Sequence, residues 1–395
     1  MLASLTLAAA LVTTTPETTT REHAPVTDDC PHSLIPPEPR TTSEVAAPGA
    51  QPTPLPVVVD GPCGVSAPRG FDVPEEVHAS AWLVADIDSG EVIAAKDPHG
   101  RYRPASIVKM LLAMLVIEEL DPAKEVTASR ESAEQIGSAV GIGEGGTYTV
   151  DQLLHGLLLS SGNDAAHALA QELGGDAMTL RRINDLAREL GTTDTVAASY
   201  SGLDAPGMST SAFDMGLIYR QAYRTPRLAE IMATDYIDFP GFDELPGYQV
   251  WNDNGILMND EAGLGGKTGY TDDANHTFVG AAEREGRRLF AVVLDTTVEK
   301  ARAWQQAQLL IDAAADTDPG HGVGLLEPVT VEQPLEEPVE PVEVPGVHEA
   351  DDPRLGVEAG IIAVLIVGAL ALVGVVFTVR AYARPRRRPS GRGSR

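Results

Sequence analysis

The sequence predicts an α+β domain over residues 75–316, with one antiparallel sheet formed from both ends of the domain and a helical block between. Three observations predict it. Apolar runs of strand length, bounded by turn residues, occur near residues 80–96 and again near 264–294. Between them the apolar period lengthens to that of helices. A composition of 43% apolar and 22% charged residues supports a sizeable core in part of the 395-residue chain, while 29 prolines and 38 glycines assign much of the rest to linkers.

Ser80–Ile87 and Val92–Lys96 flank Asp88-Ser89-Gly90-Glu91 and read as a β-hairpin. From Ser106 to Leu120 the pattern is helical, with Ile107, Met110, Leu111, Met114, Leu115 and Leu120 mostly on one face. Helices are predicted next over Val150–Ser160, Asp164–Glu172, Ala177–Leu190 and Ser211–Tyr223. Strands return at Leu264–Tyr270, Thr277–Glu283 and Leu289–Leu294, the last two joined by the turn Arg284–Arg288. A helix over Lys300–Ala314 closes the domain.

The flanks carry different information. The net charge of −28 argues against a nucleic-acid partner, because nothing neutralises phosphates. Yet the seven charged residues after Val379 are all arginine. The preceding 21 residues, Ala359–Val379, hold no charge and no proline. As a helix they reach about 32 Å, enough for a hydrocarbon core of about 30 Å. They read as a transmembrane helix, with residues 380–395 as a cytoplasmic tail and the bulk of the chain outside the cytoplasm in a single-pass arrangement at the cell membrane. Leu2–Val12 reads as the apolar core of a secretory signal within residues 1–22, too short to span. Residues 23–74 form a Pro/Thr-rich extended segment, and residues 317–358, with seven prolines and eleven acids, an acidic Pro-rich linker. Outside the cytoplasm Cys30 and Cys63 are expected to pair, the other reading being two separate thiols in a loose segment. Neither C-x-x-C nor paired-His spacing points to a metal, no cofactor is implied, and the nine histidines, His167 included, read as structural.

Three short motifs carry chemistry. Ser106-Ile-Val-Lys109 opens the first long helix, where residues three apart share a face. A lysine amine can then reach the serine hydroxyl and serve as its base, provided burial or a neighbouring cation keeps it neutral. Backbone N–H groups at the helix start can stabilise an oxyanion. On its own S-x-x-K is weak, since chance supplies about one in a chain of this length. Ser161-Gly162-Asn163 falls at a break between helices, where Ser can relay a proton and Asn can bind an amide, or where Asn163 or Asp164 simply caps the next helix. Lys267-Thr268-Gly269-Tyr270 lies in an apparent strand flanked by small residues, suited to close approach of a substrate and capture of a carboxylate. The alternative there is an edge strand with a solvated charged gatekeeper.

Together the motifs are specific. S-x-x-K, S-x-N and K-T-G follow in that order, at intervals of 55 and 106 residues, each on the element its chemistry needs. With the surrounding RPASIVKML, SSGNDAA, GLD (Gly202–Asp204) and GGKTGYT, the chain resembles the serine-type D-alanyl-D-alanine carboxypeptidases, the low-molecular-mass penicillin-binding proteins of peptidase family S11. The resemblance covers about Ala79–Thr297 and implies a penicillin-binding protein/β-lactamase-like fold. It implies that Ser106 attacks the terminal D-Ala–D-Ala bond of peptidoglycan stem peptides, that Lys109 takes its proton, and that Ser161 passes a proton to the leaving D-Ala. It further implies that Asn163 contacts the substrate amide and Lys109, that Lys267 and Thr268 bind the terminal carboxylate, and that the N–H groups of Ser106 and Tyr270 form the oxyanion hole. β-Lactam antibiotics are implied as acylating inhibitors.

The chain departs from the usual pattern in three places. An acidic linker follows the domain where many relatives carry a β-rich stalk, and an apolar span stands in for an amphipathic anchor. Asp272–His276 follows the third motif where a shorter Gly-containing turn is familiar. A β-lactamase, a D,D-endopeptidase or transpeptidase, or a non-catalytic penicillin-binding wall protein could use the same motifs. Turnover of a D-Ala–D-Ala peptide separates the non-catalytic protein from the enzymes, and rapid penicillin hydrolysis separates the β-lactamase.

Overall fold

A computed structural model describes residues 21–40, 52–59 and 61–329. The strands are β1 (Val65–Ser66), β2 (Ala81–Asp86), β3 (Glu91–Lys96), β4 (Glu125–Thr127), β5 (Thr147–Thr149), β6 (Tyr236–Phe239), β7 (Tyr248–Trp251), β8 (Gly263–Thr271), β9 (Asn275–Arg284), β10 (Arg287–Thr296) and β11 (Gly324–Leu325). The helices are α1 (Lys109–Glu119), α2 (Arg130–Ala133), α3 (Val150–Leu159), α4 (Asn163–Glu172), α5 (Asp176–Glu189), α6 (Ala212–Arg224), α7 (Pro226–Met232), α8 (Gly255–Asn259) and α9 (Ala303–Ala315).

The main sheet runs β1-β3-β2-β10-β9-β8, antiparallel throughout, with β11 also on β3. It therefore joins the start of the domain to its end through the β2–β10 pair, as predicted. Side chains on a strand alternate between faces. Along β10, Phe290, Val292 and Leu294 enter the core shared with the helical block, while Leu289, Ala291 and Val293 enter the core under α9. Burial on both faces is why these strands read as continuous apolar runs rather than as alternation.

The first long helix differs from its expectation. Residues Ala105–Val108 form a 3₁₀ turn, and α1 that follows is buried from Lys109 to Val116 on every side. A helix apolar all round belongs inside a protein, so Lys109 enters the core with its helix.

The folded body also extends beyond residues 75–316. β1 precedes that range and β11 follows it. The described parts of the Pro/Thr-rich segment are docked rather than free. Buried Arg101 donates to the carbonyls of Leu34 (2.8 Å), Leu55 (2.6 Å) and Pro56 (3.0 Å), and Cys30 is bonded to Cys63. An extended, proline-rich backbone leaves its carbonyls unpaired, and these satisfy the buried guanidinium. The signal region up to residue 20, the linker from residue 330, the apolar stretch 359–379 and the Arg-rich tail lie outside the described residues. Among the described residues no helix is long and apolar enough to cross a membrane.

Candidate active site

Ser106 sits in the 3₁₀ turn, where the sheet end meets α1. Thr277 on β9 fixes this point by donating its hydroxyl to the Pro104 carbonyl at 2.8 Å. Ala105 takes a left-handed φ of 50°, an unfavourable backbone for a residue with a Cβ. Gly202 backs against it so closely that a Cβ there would lie 2.1 Å from the Ala105 carbonyl oxygen.

Lys109 Nζ lies 2.7 Å from Ser106 Oγ, 2.7 Å from Asn163 Oδ1 and 2.5 Å from the Ser201 carbonyl oxygen. It is fully buried. Burial, then the charge of Lys267, holds it well below the ordinary lysine value, with Asp253 and Asp164 pulling the other way. A neutral amine at this distance can take the serine proton.

The second motif joins the first through Asn163, the first residue of α4. Its side-chain amide donates to the Ile136 carbonyl at 2.7 Å, which turns Oδ1 toward Lys109. Neighbouring Asp164 is buried and accepts from the backbone amides of Val140 (2.9 Å), Gly141 (2.7 Å) and Ile142 (3.1 Å), so it fixes the 136–142 loop on which Asn163 rests. Ser161 adopts φ 62°, and its buried hydroxyl has no hydrogen-bond partner among the described residues. Strained backbone and an unpaired buried hydroxyl are features of sites poised for a ligand.

β8 ends the sheet path, and it carries the third motif. A lysine on an edge strand is ordinarily solvated, but Lys267 is fully buried and held below the ordinary lysine value by that burial. Its Nζ donates to the Thr268 carbonyl at 3.0 Å, and the Thr268 hydroxyl donates to Asp253 Oδ2 at 2.7 Å. Gly269 brings β8 against the serine: a Cβ there would lie 3.0 Å from the Ser106 nitrogen. The Tyr270 side chain turns outward, with its hydroxyl 3.1 Å from Asp272 Oδ1. Only its backbone can serve the serine.

The D-alanyl-D-alanine carboxypeptidase family, peptidase S11, matches residues 67–298. The chain belongs to this family. It is 42% identical over 253 residues to D-alanyl-D-alanine carboxypeptidase DacB2 of Mycobacterium tuberculosis, a match covering 63% of this chain and 86% of that protein. It is 30% identical over 251 residues to DacD of Escherichia coli, covering 60% and 63% of the two chains. A solved D-alanyl-D-alanine carboxypeptidase from M. tuberculosis is similar at 39% identity with a TM-score of 0.62, covering 66% of this chain and 99% of that one. A serine-to-alanine mutant of the Streptomyces K15 DD-transpeptidase, at 23% identity and TM-score 0.57 over 60% of this chain and 97% of that one, shares the fold.

Of the eight residues singled out from sequence in this serine carboxypeptidase, hydrogen bonds bring together Ser106, Lys109 and Asn163, the charge of Lys267 acts on Lys109, and Gly269 lies against the Ser106 nitrogen. Three participants were missed. The Ser201 carbonyl, which accepts from Lys109 and from Ser106 Oγ (3.3 Å), is a backbone group with no sequence signature. Asp164 was read only as a possible cap. Asp253 is tied to the end of α3, two residues before Ser161, by its amide, which donates to the Leu159 carbonyl at 2.9 Å. It lies in the polar run Asn252–Asn254, which local pattern reads as a turn.

Proposed function

We propose that this chain is a membrane-anchored, extracytoplasmic D,D-carboxypeptidase that removes the terminal D-Ala from peptidoglycan stem pentapeptides through an acyl-enzyme on Ser106. The observation that carries the reading is the 2.7 Å approach of a buried, low-pKa Lys109 amine to the Ser106 hydroxyl. In this reading Lys109 takes the serine proton as Oγ bonds to the penultimate D-Ala carbonyl carbon. Ser161 relays a proton to the departing amine as the C–N bond breaks. Water then cleaves the ester, and Ser106 recovers its proton.

Lys267 and Thr268 hold the substrate's terminal carboxylate, and Asn163 holds an amide. The N–H groups of Ser106 and Tyr270 receive the oxyanion, which Gly269 permits by keeping β8 close. β-Lactams acylate the same serine. The apolar stretch 359–379 anchors the chain, and the acidic linker before it acts as a tether.

The test is D-alanine release from a stem-pentapeptide analogue by the purified chain, with and without benzylpenicillin, and mass mapping of the penicillin adduct. Release that penicillin blocks, with the adduct on Ser106 and none in Ser106→Ala, is the expected result. Rapid penicillin hydrolysis without D-alanine release would replace the reading with a β-lactamase. An adduct on another serine would move the nucleophile.

A further inference from the structure

The docked N-terminal segment reaches the cleft from both sides. Arg103, three residues before Ser106, donates from Nη1 to the Pro37 carbonyl at 2.7 Å. Three residues after Pro37, the Arg40 amide donates to Asp273 Oδ1 at 2.6 Å, and its guanidinium donates to Asn275 Oδ1 at 2.5 Å and to the Asp272 carbonyl. Residues 37–40 thus bridge the chain entering Ser106 and the Thr271–Asn275 turn that follows Tyr270. On its inner side that turn is held by Asp204, which accepts from the Thr271 hydroxyl at 2.5 Å and the Asp273 amide at 3.3 Å.

A second arginine of the segment closes the network. Arg21 donates to both carboxylate oxygens of Asp295 at 2.8 Å, and the Asn275 side-chain amide donates to the same carboxylate. Asn275 itself takes a left-handed φ of 56°, a conformation that asparagine tolerates better than most residues with a Cβ. The segment lies before residue 67, where the family match begins. The Cys30–Cys63 bond closes a loop that contains Pro37, Arg40 and residues 52–59, while Arg21 lies before it.

We propose that Arg40 is a positioning residue for the carboxypeptidase reaction: it acts through the Thr271–Asn275 turn to fix the Tyr270 backbone opposite Ser106, and residues 21–40 form the strap that delivers it. The proposal rests on the roles given above to Ser106 and Tyr270. A guanidinium suits this task because it donates in several fixed directions at once. The benefit is confined to chemistry, because misplacing an oxyanion donor slows the step more than it weakens substrate binding.

The test uses the full chain in detergent. Arg40→Ala, Arg40→Lys and Cys30→Ser/Cys63→Ser are compared with wild type for kcat and KM of D-alanine release, for acylation rate by a fluorescent penicillin, and for thermal midpoint. Arg40→Ala is expected to lower kcat and the acylation rate on the order of tenfold with KM little changed. Arg40→Lys should recover part of the loss, and the cysteine pair variant should fall in the same direction as Arg40→Ala. Because Arg40→Lys keeps the charge and the cysteine variant leaves Arg40 intact, failure of one variant to fold does not decide the result. Wild-type rates in folded variants, a lowered midpoint with unchanged kcat, or a rise in kcat would overturn the proposal while leaving the carboxypeptidase reading intact. A wild-type chain that neither releases D-alanine nor takes up penicillin would overturn both.

Discussion

Lys109 and Lys267 are both fully buried, and the charge of Lys267 is, after burial, the largest cause of the low pKa of Lys109. One lysine sits on the central helix and the other on the edge strand, so the pairing exists only when α1 and β8 are packed together. Burial by itself disfavours the charged amine, and a second cation adds to that. The acid that moderates both lysines is Asp253.

The pH dependence of acylation follows from this arrangement. The active form of Lys109 is neutral and its pKa is lowered, so acylation is complete above that pKa and lost as pH falls through it. The limb should lie well below the ordinary lysine value of 10.5. Lys267→Met removes a cation, raises the Lys109 pKa and should move the limb to higher pH. Asp253→Asn removes the opposing charge and should move it to lower pH. Stopped-flow acylation by penicillin across pH measures both shifts, and movement in the same direction would contradict the assignment of charges.

Asp164→Ala should be among the most destabilising polar substitutions. It strands the buried amides of Val140 and Ile142 along with that of Gly141. Unpaired buried donors cost about 1–3 kcal/mol each, so a loss of about 3 kcal/mol or more is expected. The denaturant midpoint gives the stability. The variant that still folds should acylate slowly, because Asn163 rests on the same loop.

Gly202→Ala tests the close approach behind the serine. The left-handed φ of 82° costs an alanine about 1–2 kcal/mol, and its Cβ would collide with the Ala105 carbonyl. Gly286→Ala is the control: φ is 77° there, but nothing lies within 4 Å of the added Cβ. Both should lose similar stability from the backbone, and Gly202→Ala should lose more through the collision. Gly202→Ala alone should lose acylation.

A chain ending before Ala359 should be recovered soluble and should release D-alanine at the rate of the detergent-solubilised full chain. Fractionation and the peptide assay check this. A truncated chain that still sediments with membranes would place the anchor elsewhere.

Legibility from sequence tracks how local each cause is. The hairpin β2–β3, the helices α3 to α6 and the strands β8 to β10 were all predicted within a few residues, because apolar period and turn chemistry are properties of neighbours in the chain. The short elements α2, α7, α8, β1, β4 to β7 and β11 were missed, since a segment of two to seven residues holds too few repeats to show a period. The eight site residues were legible as motifs, yet each motif alone was weak; their order gave the specificity.

What the amino-acid sequence determined by itself was therefore the kind of fold, the three motifs that mark the candidate site and the presence of an apolar stretch near the C-terminus. Tertiary structure decided the rest. It buried both lysines, so that burial lowers the pKa of each and the charge of Lys267 lowers that of Lys109 further, because desolvation is a property of everything packed around a group. It brought Asp253, Asp164 and the Ser201 carbonyl to the site, because hydrogen bonds between distant segments leave no local pattern. And it docked parts of a proline-rich stretch that reads from sequence as an extended, mobile segment, because the partners its backbone needed were buried arginines elsewhere in the chain.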